Sequence, residues 1–201
     1  MSSAIDRSRL SVFLSGSGRT LVNLVDRIKQ GTLDAEIVDV VASRECPGIE
    51  RASQAGLSVE VIPGTISVGR LLDRVESKRI GLVVLAGYLK KVPVPEPMRE
   101  RIVNIHPALL PGDGTGGRFG GPGMYGMKVH RAVIEAGETQ SGCTVHYCDN
   151  AYDTGPVLLR KTCVVEPGDT PESLAKRVFA LELDAYPEAL QLAMTTNRTS
   201  L

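Results

Sequence analysis

Arg101-Ile102-Val103-Asn104-Ile105-His106-Pro107-Ala108-Leu109-Leu110-Pro111 reads as the end of a buried strand that runs out into a loop. Ile102, Val103 and Ile105 are apolar, and Pro107 and Pro111 cannot continue a sheet ladder. Asn104 and His106 are two residues apart, so on a strand they project from one side. In open parallel sheets, ligands bind where strands end in this way. An amide donor beside an imidazole suits a carbonyl whose oxygen gains negative charge and whose leaving group needs a proton. An ordinary strand end with two satisfied polar side chains is the competing reading.

Upstream, Pro93, Pro95 and Pro97 allow only a loop or a helix start. Gly87-Tyr88-Leu89-Lys90-Lys91-Val92 leaves the carboxyl end of an unbroken apolar strand, Leu82 to Ala86. Val68 to Ser77 has helical spacing, with Leu71, Leu72 and Val75 on its apolar face. Ile37 to Ala42 and Val59 to Ile62 read as strands. Pro47-Gly48 reads as a break, followed by a short helix from Ile49 to Ala55 closed by Gly56. Leu10 to Leu14 predicts the first strand and Leu21 to Ile28 the first helix, joined by Ser15-Gly16-Ser17-Gly18-Arg19-Thr20. Strand, Gly-Ser loop and helix aim free backbone N–H groups at an anion. Leu21 stands where a dinucleotide fingerprint has its third glycine, and no Gly-Lys-Ser/Thr appears. A single phosphate monoester therefore fits best, with Arg19 or Thr20 adding side-chain donors. The alternative is a tight turn that needs glycine geometry.

Downstream, Gly112 to Gly126 holds eight glycines in fifteen residues, too many for regular structure in isolation. A segment of this kind is a lid over the proposed site or an insertion without a role. Met127 to Ala136 predicts a helix and Cys143 to Cys148 a strand. Asp149 to Pro156 is rich in turn residues, and another strand runs from Val157 to about Val165. Thr170 and Pro171 make an N-cap and first-turn pair. The helix they start continues through Leu174, Val178, Leu181 and Leu183 towards Tyr186-Pro187, where proline predicts a bend, and the tail beyond Thr195 is expected to fray. Strands alternating with helices imply an α/β fold, a doubly wound and mostly parallel sheet with helices on both faces.

Composition removes several function classes. Lys plus Arg and Asp plus Glu both total 23, so the formal charge is zero and no basic surface for nucleic acid or membrane is indicated. Trp is absent and aromatic residues are sparse, which argues against a base-stacking platform. No apolar run approaches a membrane span, and Met1 to Arg9 lacks the apolar core of a signal peptide. Cys46, Cys143, Cys148 and Cys163 show no paired metal-ligand spacing and read as reduced thiols of a cytoplasmic protein.

Four landmarks, in order, carry a resemblance: Ser15-Gly16-Ser17-Gly18; Leu85-Ala86-Gly87-Tyr88; Asn104-Ile105-His106-Pro107-Ala108-Leu109-Leu110-Pro111; and Ser141-Gly142-Cys143-Thr144-Val145-His146 leading to Tyr152-Asp153-Thr154-Gly155-Pro156. From about Arg9 to Leu192 the chain resembles the phosphoribosylglycinamide formyltransferases, folate-dependent enzymes of purine synthesis. The resemblance implies one Rossmann-like formyltransferase domain over 1–201. Its phosphate-binding half spans about 9–100, and its folate and catalytic half about 101–192. It implies formyl transfer from 10-formyltetrahydrofolate as co-substrate to the amine of glycinamide ribonucleotide, without a metal, with Asn104, His106 and Asp153 as catalytic positions. Gly18, Arg19 and Thr20 match the family's phosphate contacts and Glu182 its ribose contact. Leu89, Lys90, Lys91 and Val92, with Asn150, Ala151 and Tyr152, match its folate-binding segments. Arg70 is the candidate for the folate tail and His146 has a supporting role, whereas His130 reads as a surface histidine. Small-molecule substrates are the implied partners, with neither nucleic acid nor membrane; monomer and homodimer stay open. Within the class, methionyl-tRNA formyltransferase is disfavoured because an added carboxyl-terminal domain is expected there. Formyltetrahydrofolate hydrolase is disfavoured because only about nine residues precede the first strand. A non-catalytic nucleotide-binding module is the alternative from a different class; the joint presence of Asn104, His106 and Asp153 speaks against it.

Overall fold

The computed structural model describes residues 8–199. Most of the polar start, Met1 to Arg9, and the last two residues of the tail lie outside the described residues. The chain forms two compact units, one running to Pro93 and including the residues from Met194 onward, the other Val94–Ala193.

In the first unit, β1 (Ser8–Leu14) pairs in parallel with β2 (Ala35–Ala42) and with β4 (Leu82–Leu85); β2 also pairs in parallel with β3 (Glu60–Val61). The crossovers are α1 (Arg19–Lys29), α2 (Pro47–Gln54) and α3 (Val68–Ser77). Val12, Phe13 and Leu14 of β1 and all four residues of β4 are buried, the continuous apolar pattern of strands covered on both faces. Leu21, Leu24 and Val25 give α1 its buried stripe. Pro47 does not break the chain but opens α2: its fixed φ suits the first helical position, where no N–H is required.

One buried charge cluster crosses this unit. Asp39 Oδ2 accepts from Ser11 Oγ at 2.5 Å, and Oδ1 accepts from Arg74 Nη1 at 2.5 Å and from Lys78 Nζ. Arg74 also binds Glu60, whose other oxygen accepts from Arg70 at 2.5 Å. Arg70, read above as a folate-tail candidate, is thus ion-paired within this cluster.

In the second unit, a 3₁₀ turn (Glu96–Met98) precedes β5 (Ile102–His106). α4 (Met127–Glu135), β6 (Gln140–Tyr147), β7 (Val157–Val164) and α5 (Pro171–Thr199) follow. β6 runs antiparallel to both β5 and β7. The β6–β7 connection contains no helix, and a short link of that kind joins antiparallel strands. Thr170 Oγ1 accepts from Ser173 N at 3.2 Å, the expected cap of α5. Pro187 lies inside α5, which continues to Thr199 instead of ending near Thr195. Around the proline, Ala185, Tyr186, Ala189 and Leu190 are fully buried, and Tyr186 donates its hydroxyl to the Val103 carbonyl at 2.9 Å. That packing outweighs the one helical hydrogen bond that proline removes. The strands take the order β3-β2-β1-β4 in the first unit, all parallel, and β5-β6-β7 in the second, antiparallel; strands and helices together make the α/β fold that the alternation predicts.

Because Arg74 and Asp39 are both out of water, removing one partner strands the other. Asp39→Ala should therefore cost about 3–5 kcal/mol in urea denaturation; a loss near that of a surface ion pair would show that the cluster stays hydrated.

Candidate active site

The carboxyl end of β5 and its antiparallel neighbour build the site. The register sets Asn104 opposite His146 and His106 opposite Thr144. Asn104 Nδ2 lies 3.1 Å from His146 Nε2, while His146 Nδ1 lies 2.9 Å from the Tyr147 carbonyl. A carbonyl only accepts, so Nδ1 of His146 carries a proton, and Nε2 faces both the Asn104 amide and Asp153. The second N–H of the Asn104 amide is left for another acceptor. Thr144 holds the chain as it leaves β5, donating to the Ala108 carbonyl at 2.8 Å and accepting from Leu110 N at 2.9 Å.

Asp153 is brought to this strand end by the loop between β6 and β7. Its Oδ2 is 3.6 Å from His106 Nδ1 and its Oδ1 is 3.6 Å from His146 Nε2. These separations are too long for direct hydrogen bonds, yet they bring His146 and Asp153 together with His106, which is far from both in sequence. Asp153 takes a left-handed backbone conformation, φ 59°, tolerated by Asp better than by most residues. The loop returns tightly against β6: a Cβ on Gly155 would stand 2.0 Å from the Tyr147 carbonyl oxygen. Asp149 Oδ1 accepts from Ala151 N at 2.9 Å and Thr154 Oγ1 at 2.6 Å. Asn150 exchanges two hydrogen bonds with the backbone of Val94, each 3.1 Å.

The glycine-rich segment contacts the same cluster. Gly121 N donates to Asp153 Oδ2 at 2.8 Å, and His106 Nε2 donates to the Phe119 carbonyl at 2.7 Å. The segment is irregular, as its composition requires, but its middle is built against the strand end. The sequence reading missed Thr144 and these two backbone groups. Pairing alone reveals Thr144, and no side-chain signal marks a carbonyl or an amide.

Burial pushes His106 below the ordinary histidine pKa, against the opposing pull of Asp153 and the Phe119 carbonyl. Burial pulls Asp153 the other way, towards the neutral acid, but His146, the charge of His106 and the Gly121 N–H together hold it below the usual carboxylate range. His130 is not on the surface. It is 4% exposed on the inner side of α4, and its Nδ1 has no hydrogen-bond partner among the described residues. Helical spacing places it with Val129 and Val133, both buried, which explains the departure.

The remaining candidates fall in both units. Gly18 caps α1 with φ 74°, followed by Arg19 and Thr20 in the first turn. A Cβ on Gly18 would stand 2.6 Å from Gly48 Cα, so its lack of a side chain serves the packing of α1 on α2. Leu89 N donates to Ser15 Oγ at 2.9 Å; Lys90 and Lys91 are exposed and Val92 is buried. In the second unit Tyr152 is exposed, and Glu182 is half-buried on α5; burial first, and the Glu182 charge second, push the Cys143 thiol up to about 12. All four cysteines are free. Among the described residues, no helix is long and apolar enough to cross a membrane.

The formyl transferase family model matches residues 8–190, and the chain belongs to that family. It is 39% identical over 194 residues to the chloroplastic phosphoribosylglycinamide formyltransferase of Arabidopsis thaliana, an alignment covering 92% of this chain and 64% of that protein. Among solved structures, it is similar to glycinamide ribonucleotide transformylase 1 from Symbiobacterium toebii. That match has a TM-score of 0.78 and 32% identity, covering 94% of this chain and 89% of that one. Phosphoribosylglycinamide formyltransferase from Brucella melitensis is also similar, with a TM-score of 0.78 and 32% identity, covering 93% and 96%. The chain thus spans under two thirds of the plant relative's length.

Burial lowers the His130 pKa from 6.5 to about 4. Between these values the unfolded chain binds more protons than the folded one, so stability rises with pH. The contribution is complete above about pH 6.5 and is lost as pH falls towards 4. His130→Phe should flatten this part of a stability-versus-pH curve measured by urea denaturation; an unchanged slope would show that His130 is solvated.

Proposed function

We propose that this chain transfers the formyl group of 10-formyltetrahydrofolate to the amine of 5-phosphoribosylglycinamide. The observation that carries the proposal is the convergence of Asn104, His106, His146 and Asp153 at the end of β5. The amine attacks the formyl carbon, and a tetrahedral intermediate forms with negative charge on the former carbonyl oxygen. Asn104 has an amide N–H to donate to that oxygen, a contact of a kind worth on the order of 10²–10³ in rate. His106 supplies a further hydrogen bond or a proton. Asp153, kept ionised, accepts a proton from the attacking amine, directly or through water, and passes it towards N10 of the leaving folate. His146 fixes the Asn104 amide. The chemistry needs neither a covalent enzyme intermediate nor a metal. The phosphate falls to Gly18, Arg19 and Thr20, the ribose to Glu182, and the folate to Leu89–Val92 and Asn150–Tyr152, all by family resemblance. The free cysteines accord with a reducing, cytoplasmic setting.

A formyl-transfer assay with glycinamide ribonucleotide, other amines and water as acceptors tests the proposal. Transfer to the ribonucleotide should dominate, and hydrolysis alone would replace this reading by a deformylase. His106→Ala should lower kcat by at least ~10² at saturating substrates; retained turnover would remove His106 from the mechanism.

Arg19→Ala should raise the ribonucleotide Kd roughly 10-fold, the value of one charged hydrogen bond, with formyl-folate binding unchanged. Equal weakening of both ligands in calorimetric titrations would refute the phosphate role of Arg19.

A further inference from the structure

The glycine-rich segment between β5 and α4 approaches two titratable side chains with its backbone alone. We propose that its Phe119-Gly120-Gly121 turn is a positioning element of the catalytic centre. The Phe119 carbonyl keeps a proton on Nε2 of His106, so the proton that His106 exchanges is the one at Nδ1, facing Asp153.

A carbonyl accepts and never donates, so the 2.7 Å contact with Phe119 requires Nε2–H in both the neutral ring and the imidazolium. The titrating position is then Nδ1, 3.6 Å from Asp153 Oδ2. That same oxygen accepts from Gly121 N at 2.8 Å. Two neighbouring backbone groups of opposite polarity therefore set the two partners: one fixes the histidine tautomer, and the other holds the carboxylate turned towards Nδ1.

The glycines are what make the approach possible. A Cβ on Gly120 would lie 2.4 Å from the Gly116 carbonyl oxygen, 2.9 Å from Leu110 Cδ2 and 3.1 Å from Asp153 Cβ. One on Gly116 would lie 3.2 Å from the Tyr152 oxygen and 3.4 Å from that of Asp153. Gly120 has no left-handed φ to explain it, so closeness to the Gly116 carbonyl first, and then to Leu110 and Asp153, is the reason for glycine there. This inference rests on the proposed formyl-transfer role of His106 and Asp153.

The experiment uses the whole chain, labelled with ¹⁵N. Two-bond ¹H–¹⁵N correlations of His106, recorded without ligand above its titration, should show a protonated Nε2 and a bare Nδ1. The opposite tautomer in the wild type overturns the proposal by itself, even if no variant folds. Gly120→Ala should lose the fixed tautomer and lower kcat by about 10-fold or more, with both KM values little changed, because the displacement acts on alignment. Phe119→Ala keeps the carbonyl and should keep the tautomer. Gly69→Ala, on α3 with open space at its Cβ, should change neither. Folded Gly120→Ala with the wild-type tautomer and turnover would also overturn the proposal. A fixed Nε2–H that Gly120→Ala abolishes, in a wild type that transfers no formyl group, would leave the positioning intact and sink the proposed function instead.

Discussion

Keeping a carboxylate ionised where burial favours its neutral form is the constraint around which the second unit is arranged. Asp153 meets it with two imidazoles near its oxygens and one backbone N–H on Oδ2. Each source of help imposes a structural demand. The left-handed φ of Asp153 turns its side chain back to the strand end. Gly155 lets the loop close on Tyr147, and Gly116 and Gly120 let the preceding segment lie against the backbone and Cβ of Asp153. A charge on Asp153 in turn favours a proton on His106 that burial disfavours. In both groups burial and the neighbouring charges pull in opposite directions, and in both the net shift is downward.

The antiparallel pairing of β5 and β6 is the other half of the arrangement. Side chains alternate between faces along a strand, so a register shift by one residue would send His146 to the opposite side from Asn104. In the observed register a single stretch of β6 provides both His146, which fixes the amide, and Thr144, which ties down the turn after His106. The departure of β6 from parallel order is thus part of how the site is made. The first unit uses glycine differently: Gly18 and Gly48 let two helices approach at the loop after β1.

Local sequence determined much of this. Buried strands read as unbroken apolar runs, and helices as apolar residues at helical spacing, because both patterns follow from backbone periodicity. The period of two on a strand sufficed to put Asn104 and His106 on one side. The ordered landmarks, from the Gly-Ser loop to Thr154-Gly155-Pro156, identified the family and with it Asp153, which a turn-rich loop would not otherwise single out. Tertiary structure decided what depends on contacts between distant residues. Pro47 reads as a break from composition, yet opens a helix once packed, and α5 runs on past Pro187, held there by Tyr186. His130 reads as surface until the inner side of α4 is known. The fifteen residues from Gly112 to Gly126 look structureless because glycine carries no side-chain pattern. Their ordering comes from backbone hydrogen bonds and from the closeness that a missing Cβ allows, neither of which is written in residue type alone.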